Sequence, residues 1–112
     1  MKIIGMSKPI PFPLNDANAL KLLREIAADS SRVVMLHHAM QRMRERKVTL
    51  TQVLDVLRKG HLTEPSALDI HGNWKVTVRG MSCGQSLTVA AAIEMGQEHG
   101  KRILVITLFG GN

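Results

Sequence analysis

The sequence is poor in aromatic side chains and contains a single cysteine. Of its 112 residues only Phe12, Trp74 and Phe109 are aromatic, and none is tyrosine. This scarcity argues against a base-stacking platform built from several aromatic rings, as in oligonucleotide-binding barrels, and leaves the core to aliphatic side chains and methionine. Cys83 alone cannot form an intrachain disulfide, which fits a reducing compartment.

Long apolar runs are also missing. No stretch is long and apolar enough to span a bilayer, and prolines interrupt residues 1–13, which therefore lack the apolar segment of a signal peptide. The sequence thus predicts a cytoplasmic protein with no membrane partner. Hydrophobic residues make up 45% of the chain and charged residues 21%, a globular composition. The length predicts a single domain over residues 1–112.

Positive charge is concentrated in the middle of the chain. The formal net charge is +6, and residues 32–60 contain seven basic side chains against two acidic ones. Such a concentration favours a polyanionic partner such as nucleic acid, or an acidic protein. A solvated basic face with no partner explains the charge equally well.

The chain is expected to begin with an arm and a helix. Its prolines cannot sustain a helix, so residues 1–14 are expected to form an extended arm. Asn15 or Asp16 can cap a helix over about residues 17–28. The region 15–60 as a whole is expected to be mainly helical.

A strand and two helices are predicted between the first helix and residue 60. Residues 32–36 resemble a short strand, although one long helix over residues 31–47 fits the apolar spacing as well. Thr49 and Gln52 form a capping box at the start of another helix, and Gly60 is expected to end it.

Beyond Gly60 the apolar spacing changes to every second residue, which predicts antiparallel strands over residues 61–109. Residues 74–79 alternate between apolar and polar side chains, so one face is apolar and the other carries Lys75 and Arg79. The expected strands cover residues 61–70, 74–79, 87–93 and 103–109, with turns at 72–73 and 80–84. Helices on one side of an antiparallel sheet of about four to five strands make a two-layer α+β domain.

A basic stripe that begins with a histidine is the most informative local pattern. His38, Arg42 and Arg46 recur every four residues and would share one edge of a helix. An imidazole can accept and donate a proton near neutral pH, and guanidinium groups match phosphate oxygens. Such a set suits the binding and cleavage of a phosphodiester. The apolar residues expected to face the core from the opposite side are Leu36, Met40 and Met43.

The chain resembles a family of small bacterial proteins of unknown function in the motif His38-Ala39-x-x-Arg42-Met43-x-x-Arg46 and in Asp55-x-x-x-x-Gly60. The resemblance runs from about residue 32 to residue 108. Such proteins look like members of the RelE/ParE-type toxin superfamily. The helix over residues 17–28 is similar to that of the motility quorum-sensing regulator toxin branch. The resemblance implies a RelE-like fold, with a helix pair on an antiparallel sheet.

The resemblance also implies a function. It points to the toxin of a bacterial type II toxin–antitoxin system, acting as an endoribonuclease on messenger RNA with no metal or other cofactor. In that reaction the ribose 2′-hydroxyl attacks the adjacent phosphate and leaves a cyclic phosphate. The implied catalytic residues are His38 and Arg42, and the implied RNA phosphate contacts are Arg46, Lys75 and Arg79. The implied partners are a cognate antitoxin that is a short DNA-binding protein, RNA and the ribosome.

The sequence departs from that superfamily in one respect. Many of its toxins place a tyrosine at the cleavage site and a basic residue near the last strand, whereas this chain has no tyrosine and no basic residue after Arg102. The alternative function is therefore a non-catalytic toxin-fold module that binds a protein or nucleic-acid target, as ParE-type relatives bind DNA gyrase. Exposed edges of a small sheet also make a homodimer reasonable.

Simpler roles compete for several of these residues. Arg42 can pair with Asp55 or Glu64 and so hold the helix on the sheet. Trp74 fits core packing better than base stacking. A metal site is conceivable, but none of its candidate ligands has tight zinc-ligand spacing, so no metal is predicted. Those candidates are His37, His61, His71 and Cys83.

Overall fold

A computed structural model of the chain describes residues 15–95 and 100–110. The arm predicted over residues 1–14 lies outside the described residues. Within them, three α-helices and six strands follow one another, with a 3₁₀ turn over Ser30–Arg32. In chain order they are α1 (Asp16–Ala27), β1 (Val33–Met35), α2 (His37–Arg46), α3 (Leu50–Lys59), β2 (His61–Leu62), β3 (Ala67–Leu68), β4 (Trp74–Ser82), β5 (Gln85–Met95) and β6 (Gly100–Gly110).

Local hydrogen bonds set the starts of α1 and α3. The Asn15 side chain accepts a hydrogen bond from the Asn18 backbone N–H at 2.7 Å. Thr49 and Gln52 form the predicted capping box, in which each side chain accepts from the other residue's backbone N–H at 3.2 and 2.9 Å. Both caps satisfy donors that the first turn of a helix leaves free. The predicted starts of these two helices are therefore confirmed.

The sheet is mixed rather than wholly antiparallel. Its strand order is β1-β6-β5-β4-β2, and β3 also pairs with β4. The meander of β4, β5 and β6 is antiparallel, as predicted, whereas β1 runs parallel to β6 with Val33 opposite Ile103. Because residues 33–35 form this strand, the alternative of one long helix over residues 31–47 is wrong.

The strand predicted over residues 61–70 is divided into β2 and β3. Between them, the Ser66 backbone N–H and hydroxyl both donate to Asp16 Oδ1 at 2.9 Å. This tie to the start of α1 draws the segment around Pro65 out of the ladder of backbone hydrogen bonds. The prediction of one continuous strand is therefore wrong.

The turn between β4 and β5 is shorter than predicted. Strand β4 continues to Ser82, which pairs with Gln85, so only Cys83 and Gly84 form the turn. Both have positive φ, at 54° and 77°, as a two-residue type I′ hairpin requires. The long β4–β5 hairpin is thus closed by the tightest common connection.

One hydrophobic cluster joins the three helices to one face of the sheet. Leu23 of α1, Ala39 of α2 and Val53 of α3 are all fully buried in it. The sheet contributes Val76, Val78, Leu87, Val89, Ala91, Ile93, Ile103, Val105 and Leu108. Helices packed against a largely antiparallel sheet confirm the α+β class. No helix in the described part of the chain is long and apolar enough to cross a membrane.

Candidate functional site

Helix α2 is placed by the pairing of β1 with β6. The Leu36 backbone N–H donates to Val105 O at 3.0 Å, and the Met40 N–H then donates to Leu36 O at 3.0 Å. The hydrogen bonds between β1 and β6 are therefore followed directly by those of the first helical turn, and α2 packs against β6. The position of the stripe of His38, Arg42 and Arg46 is therefore set by β6, the last strand of the sheet.

The rotation of α2 differs from the sequence prediction. Ala39 is fully buried, Met43 is half-buried, and Leu36 and Met40 are exposed by 38% and 43%. The expectation that Leu36, Met40 and Met43 together form the core-facing side is wrong for the first two. The small side chain of Ala39 lets the helix backbone lie close to the sheet, and this contact turns Met40 outward.

The stripe flanks the buried side of α2 instead of lying opposite to it. With 3.6 residues per turn, Arg46 lies closest in angle to Ala39, Arg42 next and His38 furthest. Accordingly His38 is exposed, whereas Arg42 and Arg46 are half-buried. Arg42 and Arg46 therefore lie on the part of α2 nearer the sheet, and His38 lies on the solvent side.

No described acidic side chain pairs with Arg42 or Arg46. Asp55 instead accepts a hydrogen bond from Ser82 Oγ at 2.8 Å. The alternative in which Arg42 pairs with Asp55 or Glu64 is therefore wrong. Glu45, the acidic residue of α2, accepts a hydrogen bond from Gln41 Nε2 at 3.3 Å. Both arginines thus keep their donors available for a ligand.

Lys75 and Arg79 lie on the other face of the sheet. They alternate along β4 with Val76 and Val78, whose side chains belong to the helix-covered core. Both basic side chains are exposed, and Arg79 Nε donates to Ser86 Oγ at 2.8 Å. The structure therefore does not join them to the stripe on α2 as one basic surface.

The remaining candidate residues from the sequence are Trp74 and the four possible metal ligands. Trp74 is half-buried against the core, as predicted. His37, His61, His71 and Cys83 do not assemble, because no three His, Cys, Asp or Glu side chains within the described ranges are grouped to hold a metal ion. The alternative metal site is therefore not formed by these residues.

An ion pair that the sequence does not predict lies on the face of the sheet away from the helices. Arg102 Nε donates to Glu94 Oε1 at 2.7 Å and Arg102 Nη2 to Oε2 at 3.1 Å. This pairing lowers the pKa of Glu94 and raises that of Arg102. The two residues are cross-strand neighbours only through the register of β5 with β6, which no local pattern reveals. Arg102 is thereby engaged rather than available to a ligand.

Comparison with known proteins gives one family. A model for a domain of unknown function, DUF4258, matches residues 35–109, about two thirds of the chain. The matched segment begins at the end of β1 and contains α2, α3 and the rest of the sheet up to Phe109. No curated protein and no solved structure matches the chain.

Proposed function

The chain belongs to the DUF4258 family, whose function is unknown, and we propose that it is an endoribonuclease that acts as the toxin of a type II toxin–antitoxin pair. The proposal is supported by the stripe on α2, where an exposed imidazole precedes two arginines that have no acidic partner among the described residues. Residues four apart on a helix have Cβ atoms about 5–6 Å from each other. Consecutive groups of the stripe can therefore contact one phosphodiester and its neighbour.

The half-buried state of Arg42 and Arg46 is the observation that carries the proposal. Partial burial removes some of the water around each side chain, and a charged side chain is less destabilised by this when its charge is paired. A phosphate supplies the missing partner through short, charge-assisted hydrogen bonds that match the guanidinium fork. The site is therefore better suited to an anion than to water alone.

The three side chains divide the proposed reaction between them. His38 removes the proton from the ribose 2′-hydroxyl, whose oxygen attacks the adjacent phosphorus. The bond from phosphorus to the 5′-oxygen breaks, the leaving oxygen takes a proton from water, and the products are a 2′,3′-cyclic phosphate and a 5′-hydroxyl. Arg42 stabilises the charge that develops on phosphorus, and Arg46 holds a neighbouring phosphate. A positioned base or acid contributes a factor of about 10²–10⁴ in rate.

The proposed activity implies partners and a compartment. A toxin of this kind acts in the cytoplasm on messenger RNA, with or without the ribosome, and is inhibited by a cognate antitoxin that is a short DNA-binding protein. A homodimer is also part of the proposal. Lys75 and Arg79 would contact RNA on the other face of the sheet, away from the cleaved bond.

One observation favours a second candidate function, a binding module without turnover. A catalytic base is usually oriented by a third group, and no described residue forms a hydrogen bond with the His38 side chain. The same stripe would then give salt-dependent affinity for a polyanion and no product.

The two candidates are separated by product formation. Purified protein is incubated with messenger RNA, with and without ribosomes, and the new ends are tested for cyclic phosphate and 5′-hydroxyl. We expect the His38→Ala, Arg42→Ala double variant to cleave at least about a hundredfold more slowly. The matched control is the His37→Ala, Arg44→Ala double variant, which removes the same residue types from exposed positions of α2 and should cleave normally.

Cleavage by the His38→Ala, Arg42→Ala variant at the wild-type rate would refute the site. Tight RNA binding by the wild type without cleavage would establish the second function. Expression in a bacterium tests the toxin role, which predicts growth arrest that is relieved when the neighbouring gene for a short DNA-binding protein is expressed.

A further inference from the structure

The face of the sheet that points away from the helices carries four side chains in one transverse row. His61 of β2 is paired with Arg79 of β4, Arg79 with Thr88 of β5, and Thr88 with Phe109 of β6. Directly paired residues of neighbouring strands point to the same face. With strands about 4.8 Å apart, the transverse row is about 14 Å long.

The transverse row is open to solvent. His61 and Arg79 are exposed, Thr88 is half-buried, and Phe109 keeps 48% of its surface exposed. The next row of the same face behaves differently, since Thr77 and Ala90 are buried. Of the aromatic rings within residues 15–95 and 100–110, Trp74 packs against the core, so Phe109 is the ring available to a ligand.

The neighbours of Arg79 leave part of its guanidinium group free. Its Nε–H donates to Ser86 Oγ at 2.8 Å, which fixes the plane of the group. No described carboxylate pairs with it. The terminal nitrogens therefore remain as donors for the oxygens of an anion, and His61 adds a second donor one strand away.

We propose that the transverse row binds one nucleotide of single-stranded RNA, with the base stacked on Phe109 and the phosphate held by Arg79 and His61. The phenyl ring and the guanidinium group belong to strands two positions apart, about 10 Å between backbones. The ribose spans the space above Thr88. Stacking on an aromatic ring requires an unpaired base and tolerates any of the four, so the occupant is single-stranded and its sequence matters little.

This site is distinct from the one on α2. The helices cover the opposite face of the sheet, so the transverse row can bind RNA whether or not the stripe of His38, Arg42 and Arg46 cleaves it. A probe that cannot be cleaved keeps the two proposals apart. A 2′-O-methyl oligouridine has no free 2′-hydroxyl to attack the phosphate, and a fluorescein label reports its binding by anisotropy.

Two substitutions test the row with this probe. Phe109→Leu keeps an apolar side chain and removes the ring, and we expect about tenfold weaker binding. Arg79→Ala should weaken binding and reduce the slope of log K against log salt by about 0.7, the value for one phosphate contact on a single strand. Phe109→Trp should bind at least as tightly as wild type, which guards against a loss of binding that comes only from misfolding.

Two matched controls leave the transverse row intact. Met81→Leu alters another exposed apolar side chain on the same face, and Lys21→Ala removes an exposed charge from α1; both should bind as wild type does. Unchanged affinity of Phe109→Leu, or equal affinity for a 2′-O-methyl duplex, would overturn the proposal. Loss of probe binding in the His38→Ala, Arg42→Ala variant but not in Arg79→Ala would also overturn it, by placing the RNA on α2 alone.

Discussion

Asp69 organises the turn before β4 through its side chain. Its Oδ1 accepts the backbone N–H of His71 at 2.8 Å and that of Asn73 at 2.9 Å. The bond from Asn73 contributes most to holding the pKa of Asp69 below its usual value, with a smaller contribution from His71. Gly72 completes the turn with a φ of 82°, which favours glycine. The ionised carboxylate is therefore the form that the fold stabilises.

This predicts an acid-sensitive turn. The pKa of Asp69 is lower in the folded chain than the value of about 3.9 in the unfolded one. Its stabilisation is therefore complete above about pH 4 and is lost as the pH falls through the folded pKa. Asp69→Asn keeps an acceptor oxygen but does not titrate. Below about pH 4 the melting temperature of the variant should therefore rise relative to that of the wild type.

The measurement is thermal unfolding followed by circular dichroism at neutral and acidic pH. Asp29 and Glu94, whose pKa values are also lowered, titrate in both proteins. Their contributions to the melting temperature therefore cancel in the comparison. A difference in melting temperature that stays constant over the whole range would contradict the assignment.

Gly60 and Ala39 show where prediction from sequence reaches its limit for single residues. Gly60 ends α3 as predicted, but its φ of −73° and ψ of 174° are extended rather than left-handed. Glycine is needed because a Cβ would lie 2.6 Å from Val56 O and 2.9 Å from Arg79 O. Likewise Ala39 is the buried residue of α2 because this helix lies close to β6. Both reasons are contacts between distant segments, which local spacing cannot supply.

At the scale of elements, α1 and α3 are joined by two arginines that each reach the other helix's C-terminal end. Arg24 of α1 donates from Nη2 to Gly60 O at 2.9 Å. Arg58 of α3 donates from Nε to Ala27 O at 2.7 Å. The last carbonyls of a helix lack partners within it and carry partial negative charge. The arrangement therefore satisfies both helix ends with cations from across the interface.

We expect Arg58→Met to lower the free energy of unfolding by about 1.5–3 kcal/mol, the usual contribution of a hydrogen bond from a charged group. Methionine keeps an aliphatic stem over the interface, so the change reports the lost donor. The control is Lys59→Met, at the neighbouring exposed position. Both are compared by urea denaturation. Equal midpoints for the two variants would show that the bond to Ala27 adds nothing.

The elements that the sequence predicts best are those defined by adjacent residues. Thr49 and Gln52 mark the start of α3 because a capping box needs only a three-residue spacing. The alternation along β4 and β5 likewise predicts strands. The parallel pairing of β1 with β6 and the division of the strand predicted over residues 61–70 depend on partners far along the chain, so no window of sequence contains them.

For the site, the four-residue spacing predicts that His38, Arg42 and Arg46 share one edge of a helix, and residues 37–46 do form one. The alternation along β4 already places Lys75 and Arg79 on the polar face of the sheet, whereas the resemblance groups them with the stripe as RNA contacts; the structure separates the two sets. The transverse row cannot be predicted from the sequence either, since its members come from four different strands. Their register emerges only when the meander is assembled.

At the scale of the whole molecule, α1 lies outside the family match and yet belongs to the core. Leu23 and Ile26 are buried in the cluster that the sheet shares with the other helices. We expect Leu23→Ala to cost about 3 kcal/mol, within the range for a truncated core leucine. That is a substantial part of the 5–15 kcal/mol typical of a domain.

The cost is measured by urea denaturation, with Glu25→Ala, an exposed position on the same helix, as the control. A midpoint for Leu23→Ala equal to that of the control would mean that α1 does not pack on the sheet in solution. The expected result would show that residues 35–109, the part that defines the family, do not contain the complete core.

The parallel pairing of β1 with β6 has a consequence for the order of folding. Val33 and Ile103 are about 70 residues apart in the chain, whereas the strands of the meander are joined by short connections. Closing a long loop costs more entropy than closing a short one, and contacts between distant segments slow folding. The meander can therefore assemble first and β1 last. On the ribosome, α2 cannot dock until the segment up to Val105 has emerged, so a nascent chain carries the His38 stripe without the surface that positions it.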